Sequence, residues 1–71
     1  MKWGIFDHGN GKRYYANGAD FLASIYVWMD GKINWYVHDA IFDKLLAKGG
    51  SGSVDEAKRA AEQFVESRGK A

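Results

Sequence analysis

The chain has 71 residues, no cysteine, and ten basic against nine acidic residues, for a formal net charge of +1. This length predicts a single domain over residues 1–71, with room for one sheet and one helix. The lack of cysteine excludes a disulfide framework and indicates a reducing, cytoplasmic setting. The balanced charge excludes an overall basic surface, so any nucleic-acid binding would be local. No apolar run approaches the roughly 20 residues that span a bilayer, and we expect a soluble protein that does not bind membranes.

The N-terminal part of the chain predicts two short strands. Residues 2–7 form an apolar run, and residues 12–16 contain strand-favouring tyrosines. The segments 8–11 and 17–20 are rich in the glycine and asparagine that tight turns need. The first of these turns, with two cations after it, is also a pattern that can cradle a phosphate. Since it lacks the strand-to-helix context of a phosphate loop, we interpret it as a hairpin turn.

Two further strands are predicted at residues 21–29 and 32–39, and the length of the loop between them decides which side chains share a face. A two-residue loop would mix apolar and polar residues on both faces. A three-residue loop that ends in a left-handed Gly31 pairs Val27 with Ile33 and separates the faces, as is usual for half-covered antiparallel sheets. One face then carries Phe21, Ala23, Ile25, Val27, Ile33, Trp35 and Val37. The other carries Leu22, Ser24, Tyr26, Trp28, Lys32, Asn34, Tyr36 and His38.

The segment 40–48 fits two interpretations. In one, Asp39 caps a short helix that packs inward through Ile41, Phe42, Leu45 and Leu46. In the other, which we prefer, residues 44–48 form a fifth strand after a turn.

A C-terminal helix is predicted over residues 54–67. Ser53 and Glu56 have the spacing of a capping box, so we interpret the preceding "GGSGS" as native rather than as an engineered linker. Apolar residues recur at helical spacing, and we expect Phe64 to be the main side chain that packs against the sheet. The predicted fold class is α+β, an antiparallel sheet of four or five strands with one C-terminal helix packed on one face.

Because the helix can cover only one face, the other face is the predicted partner-binding surface. Its candidate residues are Tyr26, Trp28, Lys32, Asn34, Tyr36 and His38. Aromatic rings give a large contact area at little entropic cost. Two alternatives remain open. In the first, the rings serve only for cross-strand stabilisation of the sheet. In the second, the face is buried by the N-terminal strands or by a second copy in a homodimer.

No residue pattern in the sequence predicts catalysis. The neighbours Asp7 and His8, like His38 and Asp39, point to opposite faces of a strand and cannot converge on one atom. The serines lack the setting of a nucleophile. We therefore expect no enzyme activity and no catalytic, cofactor-binding or metal-binding residues.

The Asp-Gly turn, "NWYVHD", "LLAKG" and "SVDEAKRAAEQF" resemble small phage and prophage proteins built as an aromatic antiparallel sheet followed by one helix, over residues 21–65. Such proteins include inhibitors of host defence, among them anti-CRISPR proteins. The resemblance implies a phage-encoded inhibitor or adaptor that occupies a host protein or a protein–RNA complex in the bacterial cytoplasm. The helix also resembles the last helix of double-stranded-RNA-binding domains and related antitoxins, but Asp55 and Glu56 stand where those domains carry basic residues.

The alternative function is a single-stranded nucleic-acid-binding module. In this hypothesis bases stack on the same aromatic side chains, Tyr26, Trp28 and Tyr36. Their phosphates would contact Lys12, Arg13 and Lys32.

Overall fold

The computed structural model describes residues 2–7, 9, 11–18 and 20–69. Its strands are β1 (Gly4–Asp7), β2 (Gly11–Asn17), β3 (Phe21–Trp28), β4 (Ile33–Asp39) and β5 (Lys44–Ser51), followed by the helix α1 (Val54–Gly69). The five strands form one sheet in chain order, and each pair of neighbours is antiparallel. The helix packs against this sheet, so the predicted α+β fold is confirmed.

The β3–β4 hairpin has the predicted three-residue loop. Val27 lies opposite Ile33. The amide of Gly31 donates to the carbonyl of Trp28 at 3.0 Å, and the amide of Trp28 donates to the carbonyl of Lys32 at 2.9 Å. Gly31 has a φ of 91°, a conformation that favours glycine. This register places the aromatic and apolar residues of β3 and β4 on the two faces as predicted.

The segment after β4 forms a turn and a strand, so the helix interpretation of residues 40–48 is wrong. Asp39, the predicted helix cap, closes the turn, because its Oδ1 accepts hydrogen bonds from the amides of Ile41 at 2.8 Å and Phe42 at 3.0 Å. The strand then runs beyond residue 48 to Ser51. Part of the "GGSGS" stretch is therefore sheet rather than linker.

The start of α1 is capped by Ser53, whose Oγ accepts a hydrogen bond from the amide of Glu56 at 3.2 Å. The carboxylate of Glu56 accepts from the amide of Gly52 at 3.1 Å, one residue before the amide that a standard capping box would use. Both contacts satisfy amides that have no partner within the helix. The predicted cap residue and helix start are therefore confirmed.

The core lies between α1 and the central strands. Ala57 and Ala61 on the helix are fully buried, as are Ile25 and Val37 on the sheet. Two alanines on the helix allow its backbone to approach the sheet closely. Phe64 packs beside this core as predicted.

The N-terminal strands extend the sheet instead of folding across its other face. Trp3, just before β1, packs against the core on the helix side, and its Nε1 donates to Glu62 Oε2 at 3.0 Å. Lys58 on the helix places its Nζ 5.1 Å from the ring centroid of Tyr14 in β2. The alternative in which the N-terminal strands bury the predicted binding face is therefore wrong.

Candidate functional site

One face of the sheet is packed by α1, and we call the other the open face. The pairing registers place on it Phe6, Arg13, Tyr15, Leu22, Ser24, Tyr26, Trp28, Asn34, Tyr36, His38, Leu45 and Lys48. Large side chains here are partly accessible, with Phe6 57% and Trp28 39% exposed.

Three rings on the open face form a connected aromatic cluster, Tyr26, Trp28 and Tyr36. Tyr26 and Trp28 are stacked, with ring centroids 5.8 Å apart and planes inclined by 12°. Tyr26 and Tyr36 meet edge to face, with centroids 5.6 Å apart. Each such pair contributes about 0.5–1.5 kcal/mol of stability beyond its area burial. The rings therefore stabilise the sheet, as one sequence alternative proposed, and also present exposed surface.

The aromatic cluster borders a depression on the open face with a volume of about 480 Å³, which we call the first depression. It is lined by Tyr26, Trp28, Tyr36, His38 and Leu45, so it brings together four of the six candidate residues. The other two candidates lie outside this lining. Asn34 lies opposite Tyr26 on the same face. Lys32 is exposed at the end of the hairpin loop, where its amide donates to Asp30 Oδ1 at 3.0 Å.

Arg13 in β2 lies beside the aromatic cluster, although it was not among the six candidate residues. Its Cζ lies 5.5 Å from the ring centroid of Tyr26, and its Nη2 donates to Ser24 Oγ at 3.2 Å. Ser24 is only 2% exposed, so the acceptor of this hydrogen bond is buried beneath the surface of the open face. The buried Nε has no hydrogen-bond partner among the described residues. The guanidinium is thus restrained on the open face.

The second depression, of about 420 Å³, lies on the β1–β2 side and is lined by Phe6, Arg13, Tyr15, Asn17 and Leu22. Gly4, opposite Tyr15, makes room for its ring, because a Cβ at Gly4 would lie 2.6 Å from Tyr15 Cζ. The depression therefore combines two partly exposed rings with a guanidinium and an amide.

Charge is unevenly distributed over the two faces. Among the strand residues that the structure describes on the open face, none is Asp or Glu, while Arg13 and Lys48 are cationic. Asp7 in β1 occupies a position on the helix side, and the first turn of α1 contains Asp55 and Glu56. Cations and aromatic rings thus share the open face without a strand carboxylate between them.

Lys12, which the sequence grouped with the cations near the aromatic cluster, does not lie on this surface. It lies opposite Val27, on the side of the sheet that α1 covers. The neighbouring Arg13 lies opposite Tyr26, on the open face.

Within the described part of the chain, no group of three or more His, Asp or Glu side chains is placed to hold a metal ion. His8, in the Asp7-His8 pair, lies outside the described residues. No helix among the described residues is long and apolar enough to cross a membrane.

These features define the class of the protein as a small α+β domain with one sheet face packed by a helix and an aromatic, cationic face opposite it. Comparisons with protein-family models, curated proteins and solved structures found no match.

Proposed function

We propose that this chain is a non-enzymatic binding protein that takes single-stranded nucleic acid on its open face. The observation that carries this proposal is the aromatic cluster flanked by cations on a face whose described strand positions hold no carboxylate. Of the two functions predicted from sequence, this is the one that the geometry supports better. An anionic chain with flat, stackable bases complements such a surface in both charge and shape.

Bases stack on the exposed surface of the aromatic cluster. Such stacking contributes about 1–3 kcal/mol per base and tolerates any sequence, because every base has a π face. The bases must be free of a duplex to reach the rings, which is why the ligand is single-stranded.

Cations on either side of the cluster attract the anionic strand to the open face. Arg13 lies opposite Tyr26 on the β2 side, and Lys48 lies opposite Tyr36 on the β5 side. A strand that crosses the sheet from β5 to β2 would meet both cations and the rings between them. Binding at this surface does not require a high net charge, because the local electrostatic potential depends on where the charges lie.

The test is a titration of the intrinsic tryptophan fluorescence with a thymine-rich oligonucleotide of about eight nucleotides, within the usual site size. We expect quenching that saturates, because Trp28 lies 39% exposed in the stacking surface. Affinity should fall steeply with added salt, with a slope of about −0.7 per phosphate contact. A duplex of the same length, whose bases are already paired, should compete weakly.

Two results would contradict the proposal. One is a folded protein whose fluorescence does not respond to the oligonucleotide at low salt. The other comes from light scattering across concentration. A wild-type dimer and a folded monomeric Trp28→Lys variant would assign the open face to a second copy of the chain.

The second candidate is the phage-type inhibitor or adaptor of a host protein or protein–RNA complex, acting in the bacterial cytoplasm. One observation favours a protein partner. Ile41 and Phe42, 69% and 78% exposed, stand side by side on a turn held by Asp39, and adjacent exposed apolar side chains on a restrained turn suit an apolar pocket. Capture of a host protein from nuclease-treated lysate, lost in Phe42→Ser, would support this candidate.

A further inference from the structure

We infer that the second depression of the open face is a base-reading subsite that prefers guanine, with Arg13 as the reading residue. This inference rests on the proposed function and adds a base preference to it. It concerns the β1–β2 side of the face, whereas the aromatic cluster stacks bases on the β3–β5 side.

The two depressions are close enough for one strand of nucleic acid to enter both. Tyr26 lines the first and Arg13 lines the second, and these two side chains are in contact at 5.5 Å. A nucleotide next to one stacked on the cluster would therefore lie at the second depression. There, Phe6 and Tyr15 provide ring surface for a base, and the volume of about 420 Å³ falls in the range of small-ligand sites.

The guanidinium of Arg13 is positioned before any ligand binds. The Ser24 hydrogen bond and the Tyr26 ring restrict its conformations, so less side-chain entropy is lost on binding. The buried Nε is out of reach of a ligand, so hydrogen bonds to a base come from the terminal nitrogens of Arg13, whose side chain lines the second depression.

Guanine matches this donor set better than the other bases. Its O6 and N7 are two acceptors on one edge, whereas the same edge of adenine offers one acceptor and one donor. An arginine has donors only, so it pairs with guanine through two hydrogen bonds and with adenine through one. None of the described strand residues on the open face carries a carboxylate that would compete for the guanidinium.

The experiment uses three thymine-rich oligonucleotides of about eight nucleotides that differ at one central base, which is guanine, adenine or 7-deazaguanine. The last keeps the shape of guanine but lacks the N7 acceptor. We expect wild-type protein to bind the guanine oligonucleotide about ten-fold more tightly than the adenine one, and 7-deazaguanine to lose most of that preference.

Variants at two arginines test whether the guanine preference depends on Arg13. Arg13→Lys keeps the positive charge but loses the planar pair of donors, so it should bind all three oligonucleotides about equally. Arg59→Lys makes the same replacement on the exposed side of α1 and should keep the guanine preference.

The outcomes separate this inference from the proposed function. Equal affinity of the wild type for the three oligonucleotides would overturn the guanine subsite and leave stacking on the cluster in place. Absence of binding to any of them would overturn the proposed function itself. If Arg13→Lys weakens binding of all three by the same factor and so keeps the guanine preference, Arg13 does not read the base and the inference fails. If Arg13→Lys does not fold, the affinities of the wild type for the guanine and 7-deazaguanine oligonucleotides still test the inference.

Discussion

Trp28→Ala is expected to weaken binding of a single-stranded oligonucleotide by about five- to 150-fold, the equivalent of one stacked base. The variant should stay folded but lose at least about 0.5–1.5 kcal/mol of stability, because it removes the stacking of Trp28 on Tyr26, while the side chain is 39% exposed and ends its strand. Isothermal titration calorimetry measures the affinity without depending on the deleted fluorophore.

The neighbouring residue provides the control for Trp28→Ala. Met29 is 80% exposed and lies in the hairpin loop, so Met29→Ala should change neither affinity nor stability appreciably. If Trp28→Ala instead unfolds the protein, the aromatic cluster has a structural role and the stacking proposal loses its main support.

Ile25→Ala is expected to have the largest effect on stability of any single truncation in β3. Ile25 is fully buried beneath α1, and removing its side chain leaves a cavity that costs about 2–5 kcal/mol. A domain of this length has a total unfolding free energy of about 4–11 kcal/mol, so much of the variant could be unfolded at room temperature. Urea denaturation followed by circular dichroism measures the difference.

Ile5→Ala is the matched control, since it removes the same atoms on the same side of the sheet. Ile5 is 63% exposed in the edge strand β1, and its truncation should change stability by no more than about 0.5 kcal/mol. Equal losses in the two variants would contradict the placement of the core between α1 and the central strands.

The central hairpin could be predicted from sequence because two independent signals agree there. Polar and apolar residues alternate along β3 and β4, and only one loop length keeps that alternation in phase across the pair. Gly31 supplies the left-handed residue that this loop needs. Tyr26, Trp28 and Tyr36 were therefore placed on one face correctly.

For β1, β2 and β5, the residues that lie on the open face could not be predicted in the same way. Tyr14 and Tyr15 are adjacent residues of one type, and either could face the core, so the pattern does not distinguish Lys12 from Arg13 on the open face. In β5, an irregularity opposite Val37 and His38 turns Leu46 toward the core while Leu45 stays on the open face. Simple alternation does not anticipate such an extra residue.

The central claim is that the open face, and not the overall charge, binds nucleic acid. The most direct measurement compares the affinity and salt slope of one thymine-rich oligonucleotide for Lys48→Glu and Arg59→Glu. Both residues are exposed and both replacements change the net charge equally, but only Lys48 lies on the open face.

We predict that Lys48→Glu weakens binding by about ten-fold or more and lowers the salt slope by about 0.7, the value for one lost phosphate contact. Arg59→Glu should leave both nearly unchanged. Equal weakening by the two variants would show that binding follows net charge, and would contradict a site on the open face.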